Sequence, residues 1–294
     1  MNSALVLTRG NPAGPLAILA QMHLERGSFT GVVPRSNGEP PLIGQMIYMS
    51  GERSAHLSFM APDNASQAAG LPALFEGLAS QAGEWGAFNL LAEVEELAPI
   101  FENLRRAGFC VYAWQRIWQL PPLGSGEGRP PNHWKPASPV DEFAISSLYQ
   151  SLVPPLVQSA EPLSARTPQG LVYHQEGEVL AYAEGMRGPR GIYLQPVIHP
   201  GAECVPDLLD DLPYALPIHL FGRPVYIAIR SYQAWLESAM EEMHARVTPR
   251  QALFVKHLMS AQRVPVTNKR LGVLEQHQAE PTAPMINNFS ESKK

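Results

Sequence analysis

His199, Glu203 and Cys204 lie close together in this sequence and are a first candidate for chemistry. An imidazole, a carboxylate and a thiol are all metal ligands, and a cysteine paired with a histidine is also the pattern of an activated nucleophile. Ligands this close together need a further partner from elsewhere in the chain, and none stands out at a suitable spacing. We therefore favour the alternative, a loop that carries a buried thiol, and we predict no metal site.

Charged residues within the segment 86–120 are a second candidate for chemistry. Glu93, Glu95 and Glu96 close a predicted strand and include a candidate general base for an amine, although a solvated strand end explains them as well. Arg105 and Arg106 are placed to meet a ligand phosphate, or to complement the dipole at the end of a helix. We favour the solvated strand end and the dipole.

Residues 124–128, Gly-Ser-Gly-Glu-Gly, suggest a phosphate-binding loop by composition. Such a loop joins a strand to a helix, whereas Arg129, Pro130 and Pro131 follow here and begin no helix. The surrounding segment 121–139 is rich in Pro, Gly and Ser and has no hydrophobic period, so we interpret it as a flexible linker.

The segment 86–120 predicts strand, helix and strand in that order. Apolar and other residues alternate from Phe88, a helix begins near Pro99 and ends at Gly108, and a Val-, Tyr- and Trp-rich strand follows. A similar order recurs over residues 223–260. Trp114 and Trp118 point to one face of the second strand, where they line an apolar pocket or, as we favour, the seam between two units.

The remaining periodicity predicts an alternating set of strands and helices. Within the predicted helix 141–158, the expected core residues are Phe143, Leu148, Leu152 and Leu156. The predicted strands cover 4–8, 41–50, 55–60, 170–174, 178–185, 191–199, 224–230 and 251–259, and the predicted helices cover 16–24, 67–83, 141–158, 205–216 and 232–244, with a loop over 26–41.

This order of elements, with a helix that ends in Arg-Ala-Gly-Phe at residues 106–109 before a strand, resembles the GNAT fold of the N-acyltransferase superfamily, which uses acyl-CoA. The resemblance implies an α/β (α+β layered) protein of two tandem GNAT-like units, each a mixed, mostly antiparallel sheet flanked by helices. The implied domains are 1–120 and 140–261, joined by the linker 121–139 and followed by a flexible tail over 262–294.

The resemblance also implies a cofactor site. The family motif, Gln/Arg-x-x-Gly-x-Gly/Ala after a central strand, binds the CoA pyrophosphate through backbone N–H groups at a helix start. Here it implies acetyl-CoA or another acyl-CoA on Gln67, Ala68, Ala69, Gly70 and Leu71. Pro72 stands where the last small residue belongs and has no N–H to donate. In the second unit the corresponding loop, 199–207, lacks the motif and carries Glu203 and Asp207, and we expect Asp207 to cap its own helix.

The general acid of the family, a Tyr four residues before the Gly of Gly-Phe, falls on Leu104 here, and the second unit has no Tyr at that turn. We therefore assign no catalytic residue. The resemblance implies an acyl-CoA-dependent N-acyltransferase of weakened or lost activity with an unknown amine acceptor. The alternative is a non-catalytic GNAT-fold scaffold that binds a small molecule or a protein partner.

Composition limits the other classes of function. With 45% hydrophobic and 17% charged residues the chain of 294 residues is expected to be globular, and a net charge of -5 gives no reason to bind nucleic acid or acidic lipid. Two cysteines form no disulfide framework, and no apolar run reaches a membrane span. We therefore expect a cytoplasmic protein without a signal peptide, and the sequence does not indicate its oligomeric state.

Overall fold

A twelve-stranded mixed sheet runs through both halves of the chain in the computed structural model, which describes residues 2–10, 26–35, 38–62, 68–122, 133–163, 170–216 and 222–258. The strands are β1 (Arg26–Val33), β2 (Leu42–Met49), β3 (Ser54–Ala61), β4 (Asn89–Glu95), β5 (Cys110–Gln119), β6 (Trp134–Pro136), β7 (Gly170–Gln175), β8 (Glu178–Arg187), β9 (Ile192–Ile198), β10 (Val225–Arg230), β11 (Arg246–Val247) and β12 (Gln251–His257). The α-helices are α1 (Ser3–Arg9), α2 (Leu71–Glu84), α3 (Phe101–Arg106), α4 (Glu142–Leu152), α5 (Pro155–Ala160), α6 (Val205–Asp211) and α7 (Glu237–Glu242). The α/β fold class predicted from the sequence is confirmed.

The order of the strands shows that the two halves exchange elements at the middle of the sheet. The order is β1-β2-β3-β4-β12-β5-β10-β9-β8-β7-β6, with β11 paired to β5. β12, the last described strand of the second half, lies between β4 and β5 of the first half and pairs antiparallel with both. β5 in turn pairs antiparallel with β10. Both halves therefore share one continuous hydrogen-bonded ladder.

Helices cover both faces of this sheet. α2 and α3 pack on the first half and α6 and α7 on the second, all on one face, which we call the outer face. The opposite face carries α1, α4 and α5, and we call it the inner face. The outer face buries large apolar side chains such as Phe75 and Phe254. Burial of one such side chain contributes about 1.5–3 kcal/mol to the stability of the folded protein.

Two parallel strand pairs open into gaps. β3 and β4 pair where Ser54, Ala55 and His56 face Asn89, Leu90 and Leu91, and these two fully described strands share no further register beyond that point. β9 and β10 pair from Val225 to Ile227 and then also diverge. Each half thus has a V-shaped gap between two parallel strands, with one gap beyond His56 and the other beyond Ile227.

The first predicted strand is wrong, because residues 4–8 lie in helix α1. The side chain of Asn2 accepts a hydrogen bond from the Leu5 N–H at 3.0 Å, which is an N-cap, and Gly10 ends the helix with a φ of 89°. The predicted loop over 26–41 is also wrong in its first part, where β1 forms. The two glycines and the serine of β1 weaken its apolar alternation, and pairing with β2 supplies the missing stabilisation.

The predicted helix over 141–158 is divided into α4 and α5. Val153 is extended and Pro154 precedes the second helix, so the proline ends one helical run and starts another. Leu148 is buried as predicted, but Phe143 is 85% exposed and Leu156 is 52% exposed, so these two core predictions are wrong. The helical register turns them towards solvent.

Several predictions fall beyond the described ranges. The helix predicted over 16–24, the glycine-rich segment 124–128 and the tail 262–294 lie outside the described residues, and the domain boundaries at 120 and 140 stay predictions. Within the described ranges, no helix combines the length and apolar character that crossing a membrane requires.

Candidate functional site

The gap between β3 and β4 is the first candidate site, because it lies beside the predicted cofactor loop. His56 and Leu91 are the last residues in register, and the two strands separate after them. Beyond this point the main-chain groups of β3 that point towards β4 have no ladder partner in β4. A gap of this kind fits an extended ligand that replaces the missing strand pairing.

The start of α2 supplies fewer main-chain donors than the sequence predicts. Gln67 lies outside the described residues, and Ala68, Ala69, Gly70 and Leu71 lead directly into the helix. The Leu71 N–H donates to the Ala68 carbonyl oxygen at 3.1 Å, and Pro72 has no N–H. Two of the first helical positions are therefore not available to a phosphate.

Gly70 has a packing explanation of its own. A Cβ atom at this position would lie 2.9 Å from Cγ1 of Val33 and 3.1 Å from Cδ1 of Leu42. The close approach of α2 to β1 and β2 thus favours glycine here even without a cofactor. Its φ of -79° is ordinary helical geometry, so no left-handed conformation is involved.

The position of the family's general acid is apolar and enclosed. Leu104 of α3 is 0% exposed and lies in the outer-face core. Arg105 is exposed and bonds Glu102 at 3.2 Å on the same helix, which agrees with the interpretation of Arg105 and Arg106 as exposed helix-end charges. No proton donor is available at this turn.

The loop after β9 is the counterpart in the second half, and it differs from two predictions. The thiol of Cys204 is exposed rather than buried, and Cys204 itself, with a φ of 51°, precedes α6. Asp207 lies inside the helix and makes no capping hydrogen bond. His199 accepts from the Gly201 N–H at 3.0 Å, and no group of three or more His, Cys, Asp or Glu side chains in the described ranges is arranged to hold a metal.

The second candidate site is a buried polar cluster on the inner face, at the gap between β9 and β10. Arg230 ends β10 and donates from Nη2 to both carboxylate oxygens of Glu161, at 3.0 and 2.9 Å. The same nitrogen donates to Oε1 of Gln195 on β9 at 3.0 Å, which spans the gap. Tyr112 donates to the Glu161 carboxylate, and Tyr149 donates to the Glu161 carbonyl oxygen.

Burial and charge set the protonation of this cluster. Burial disfavours the charged guanidinium of Arg230, but the Glu161 carboxylate outweighs it and raises the pKa of Arg230. Burial, reinforced by Glu161, raises the pKa of the Tyr112 hydroxyl. Burial lowers the pKa of His56 and raises the pKa of Glu184. The cluster therefore holds one buried ion pair, between Arg230 and Glu161.

Glu93 lies next to this cluster on β4, two residues beyond the last register pair of the first gap. Its carboxylate accepts from the Ser3 N–H of α1 at 2.8 Å and from Nε2 of Gln115 at 3.4 Å. Gln115 also donates to Gln251 of β12 at 2.8 Å. Glu95 and Glu96 are exposed, as a solvated strand end predicts, whereas Glu93 is partly buried and held in place.

The buried cluster was not predicted from the sequence. Arg230 and Glu161 lie 69 residues apart and are brought together by the sheet and α5. A signal was present at each strand: Arg230 ends the apolar run of β10, and Gln115 interrupts an aromatic strand between Trp114 and Trp118. A polar residue at an otherwise buried strand position indicates a hydrogen-bonded network.

No protein-family model matches the sequence, and no curated protein matches it. Solved structures do match by fold. A GCN5-related N-acetyltransferase from Kribbella flavida matches with a TM-score of 0.50 at 12% identity, over 82% of this chain and 93% of that one.

Two further structures have lower scores. A tandem GNAT protein from the clavulanic acid biosynthesis pathway matches at 17% identity with a TM-score of 0.45, over 81% of this chain and 85% of that one. A GCN5-related N-acetyltransferase from Sphaerobacter thermophilus matches at 11% identity with a TM-score of 0.44, over 74% and 76%. The similarity to the Kribbella flavida structure shows that this chain has the GNAT fold.

Proposed function

We propose, from the fold that this chain shares with a GCN5-related N-acetyltransferase, that it is an acyl-CoA-dependent N-acyltransferase of reduced activity. The observation that carries the proposal is the gap between β3 and β4, where the two parallel strands separate after His56 and Leu91. Closed strands would leave no place for the cofactor, and the separation leaves main-chain groups that an extended ligand can bond.

In this proposal the cofactor's phosphates lie at the start of α2, against Gln67, Ala68, Ala69, Gly70 and Leu71. A helix start favours an anion through its unpaired N–H groups and its dipole. Because Leu71 donates within the chain and Pro72 donates nothing, we expect weak binding. When bound, acyl-CoA supplies a thioester whose acyl carbon accepts an amine and whose thiol is released.

Glu93 is the proposed base for the acceptor amine. An ammonium group must lose a proton before its nitrogen can form the new C–N bond, and a carboxylate beside the gap is placed to receive that proton. Hydrogen bonds from Ser3 and Gln115 hold the Glu93 carboxylate in position. Leu104 offers no proton to the departing thiolate, so that proton comes from water, which agrees with a reduced rate.

The proposed compartment is the cytoplasm. Cys110 and Cys204 are both free and exposed, and thiols of this kind stay reduced there.

The second candidate function is a scaffold that retains the fold without catalysis and binds a small molecule or a protein partner. Three observations favour it: Pro72 in the phosphate loop, the enclosed Leu104 at the acid position, and the packing role of Gly70. Pro72 gives no N–H to a phosphate and Leu104 gives no proton to a leaving thiolate. The packing of Gly70 explains that glycine without a cofactor.

Cofactor binding is tested by calorimetric titration of acetyl-CoA into the purified full chain. Ala69→Glu places a carboxylate on an exposed residue at the start of α2, and Ser80→Glu adds the same charge on an exposed residue near the other end. We expect acetyl-CoA to bind the parent chain and Ser80→Glu alike, and to bind Ala69→Glu about tenfold more weakly because of like-charge repulsion. Absence of heat at millimolar acetyl-CoA would remove the cofactor proposal.

A measurement of acyl transfer distinguishes the transferase from the non-catalytic scaffold. The chain is incubated with acetyl-CoA and a broad panel of amines, and release of free CoA thiol is measured. Turnover of any amine that is reduced in Glu93→Gln supports the transferase, whereas cofactor binding without turnover of any amine favours the scaffold.

A further inference from the structure

Three polar side chains form a row across the centre of the inner face. Arg230 of β10 stands opposite Gln115 of β5 in the antiparallel register, and Gln115 stands opposite Gln251 of β12. Residues paired in this way share one face of the sheet, with neighbouring Cβ atoms about 5 Å apart. We call these three residues the central polar row.

The central polar row lies between two apolar patches of the same face. On one side Ile117, Tyr193 and Ala228 pack beneath α1. On the other side residues such as Leu91 and Leu253 pack beneath α4 and α5. An unbroken apolar face would suffice to hold these helices, so the polar residues between the patches have another explanation.

Some buried polar atoms of the central polar row have no hydrogen-bond partner among the described residues. Arg230 is 4% exposed, and its Nε and Nη1 have no acceptor among the residues that the structure describes. Gln115 is 2% exposed, and its Oε1 has no donor in the same set. Buried donors and acceptors without partners are costly, and they indicate a site where water or a ligand completes the network.

The unpaired groups are of opposite kinds, and the two residues that carry them are cross-strand neighbours. Arg230 presents charged N–H donors, which suit a carboxylate oxygen. Gln115 presents an acceptor beside the Glu93 carboxylate, and these suit a positively charged nitrogen. A lone anion would add negative charge to Glu161 and Glu93, which already outnumber the single guanidinium, whereas a zwitterion adds no net charge.

We propose that the central polar row binds a free α-amino acid, with its carboxylate on Nη1 of Arg230 and its ammonium on Oε1 of Gln115 and the Glu93 carboxylate. This inference rests on the proposed function in one respect: it makes the amino acid the acceptor whose amine is acylated. Arg230 and Gln115 are direct cross-strand neighbours, so one small ligand can contact both side chains.

The test measures binding without acyl-CoA. Each of the common L-amino acids is titrated calorimetrically into the full chain, together with the matching amine that lacks the carboxylate and the matching acid that lacks the amine. We expect at least one amino acid to bind, and both of its truncated analogues to bind at least tenfold more weakly, because each loses one charge-assisted pair.

Matched variants test whether the amino acid binds at the central polar row. Gln115→Met removes the unmet acceptor at similar volume, and we expect about tenfold weaker binding of the amino acid. Gln233→Met is the control. Gln233 is similarly buried, and its Oε1 also has no hydrogen-bond donor among the described residues. Gln233 lies outside the row, where it donates to the Ile198 carbonyl oxygen. The double variant Arg230→Met with Glu161→Met removes both charges of the ion pair together, so that no unpaired charge is left buried, and we expect it to bind none of the panel.

The outcomes separate this inference from the proposed function. If no amino acid binds, or if the truncated acids bind as tightly as the amino acids, the row holds water or an anion and the inference is wrong. Equal loss of affinity in Gln115→Met and Gln233→Met would also overturn it. An amino acid that binds a chain unable to bind acetyl-CoA would leave the site standing and remove the transferase.

Discussion

Gly70 shows how one residue can match a cofactor motif while packing already accounts for it. Its position leaves a Cβ atom only 2.9 Å from Val33, whereas Gly77 of the same helix has no heavy atom within 4 Å of that point. Glycine at residue 70 therefore allows α2 to approach the sheet, and glycine at residue 77 serves no such contact.

The two glycines predict opposite effects of the same substitution. We expect Gly70→Ala to lower the free energy of unfolding by about 1–3 kcal/mol through overpacking. We expect Gly77→Ala to raise it by about 0.4–1 kcal/mol, because alanine favours a helix and restricts the unfolded chain. Urea denaturation of the three proteins measures both changes, and a stabilising Gly70→Ala would show that α2 has room to move away from Val33.

His56 gives the molecule a dependence of stability on pH. Burial lowers its pKa below the ordinary value of 6.5, although the nearby Glu93 and Glu161 carboxylates oppose the shift. Because the folded chain favours the neutral imidazole, the unfolded chain binds the proton more readily between the pKa of folded His56 and about 6.5. The free energy of unfolding due to His56 therefore falls as the pH is lowered through that window.

We expect His56→Gln to lose this dependence. Denaturation of the parent chain and the variant over a series of pH values should give a stability difference that is constant above about pH 6.5 and that shifts in favour of the variant below it. A difference that stays constant through the acidic range would mean that His56 is as easily protonated in the folded chain as in the unfolded chain.

At the scale of single elements, β12 holds the centre of the sheet. Its pairing with β4 and β5 places Phe254 at 0% exposure, with its ring 5.0 Å from that of Phe101. Phe143 of α4 is the same residue type at 85% exposure. The difference in burial between these two phenylalanines decides how much each contributes to stability.

We expect Phe254→Ala to lower the free energy of unfolding by about 3–5 kcal/mol, because it removes a large buried ring and leaves a cavity. Phe143→Ala should change it by less than about 0.5 kcal/mol. Chemical denaturation measures both. A large loss in Phe143→Ala would show that this exposed ring is covered by a contact outside the described residues.

The elements that the sequence predicted are those with a strong local period. The hairpins over 41–60 and 170–185 and the strand of residues 224–230 follow from alternation and turn residues, and all three are confirmed. α1 was missed because the apolar run of residues 4–8 suits a strand equally well, and the Asn2 cap decides the outcome. The contacts of Arg230 with Glu161 and Gln195 could not be predicted, since they depend on how distant strands and α5 come together.

At the scale of the whole molecule, the exchange of β12 and β5 joins the two halves. The strand of residues 251–257 fills a position between β4 and β5 that a free first half would leave as two exposed edges. The predicted division into units 1–120 and 140–261 follows the repeat of elements along the sequence. Hydrogen bonding follows a different division, because each half depends on a strand of the other.

This exchange predicts that the two halves stay together even when the chain between them is cut. A protease site inserted within residues 123–132, which lie outside the described ranges, allows the purified protein to be cleaved there after folding. We expect the two fragments to elute together in gel filtration and to unfold in one cooperative transition, because β12 and β10 remain paired with β5. Reduced stability without separation agrees with this view, since cleavage raises the entropy of the unfolded state.

The matching control is the first half produced alone. Residues 1–120 lack β12, and we expect them to be unfolded or aggregated by circular dichroism and gel filtration, because the edges of β4 and β5 are then exposed. Supplying residues 133–294 during refolding should restore the complex. If residues 1–120 fold alone and the cleaved fragments separate, each half is an independent domain and the shared ladder contributes little to stability.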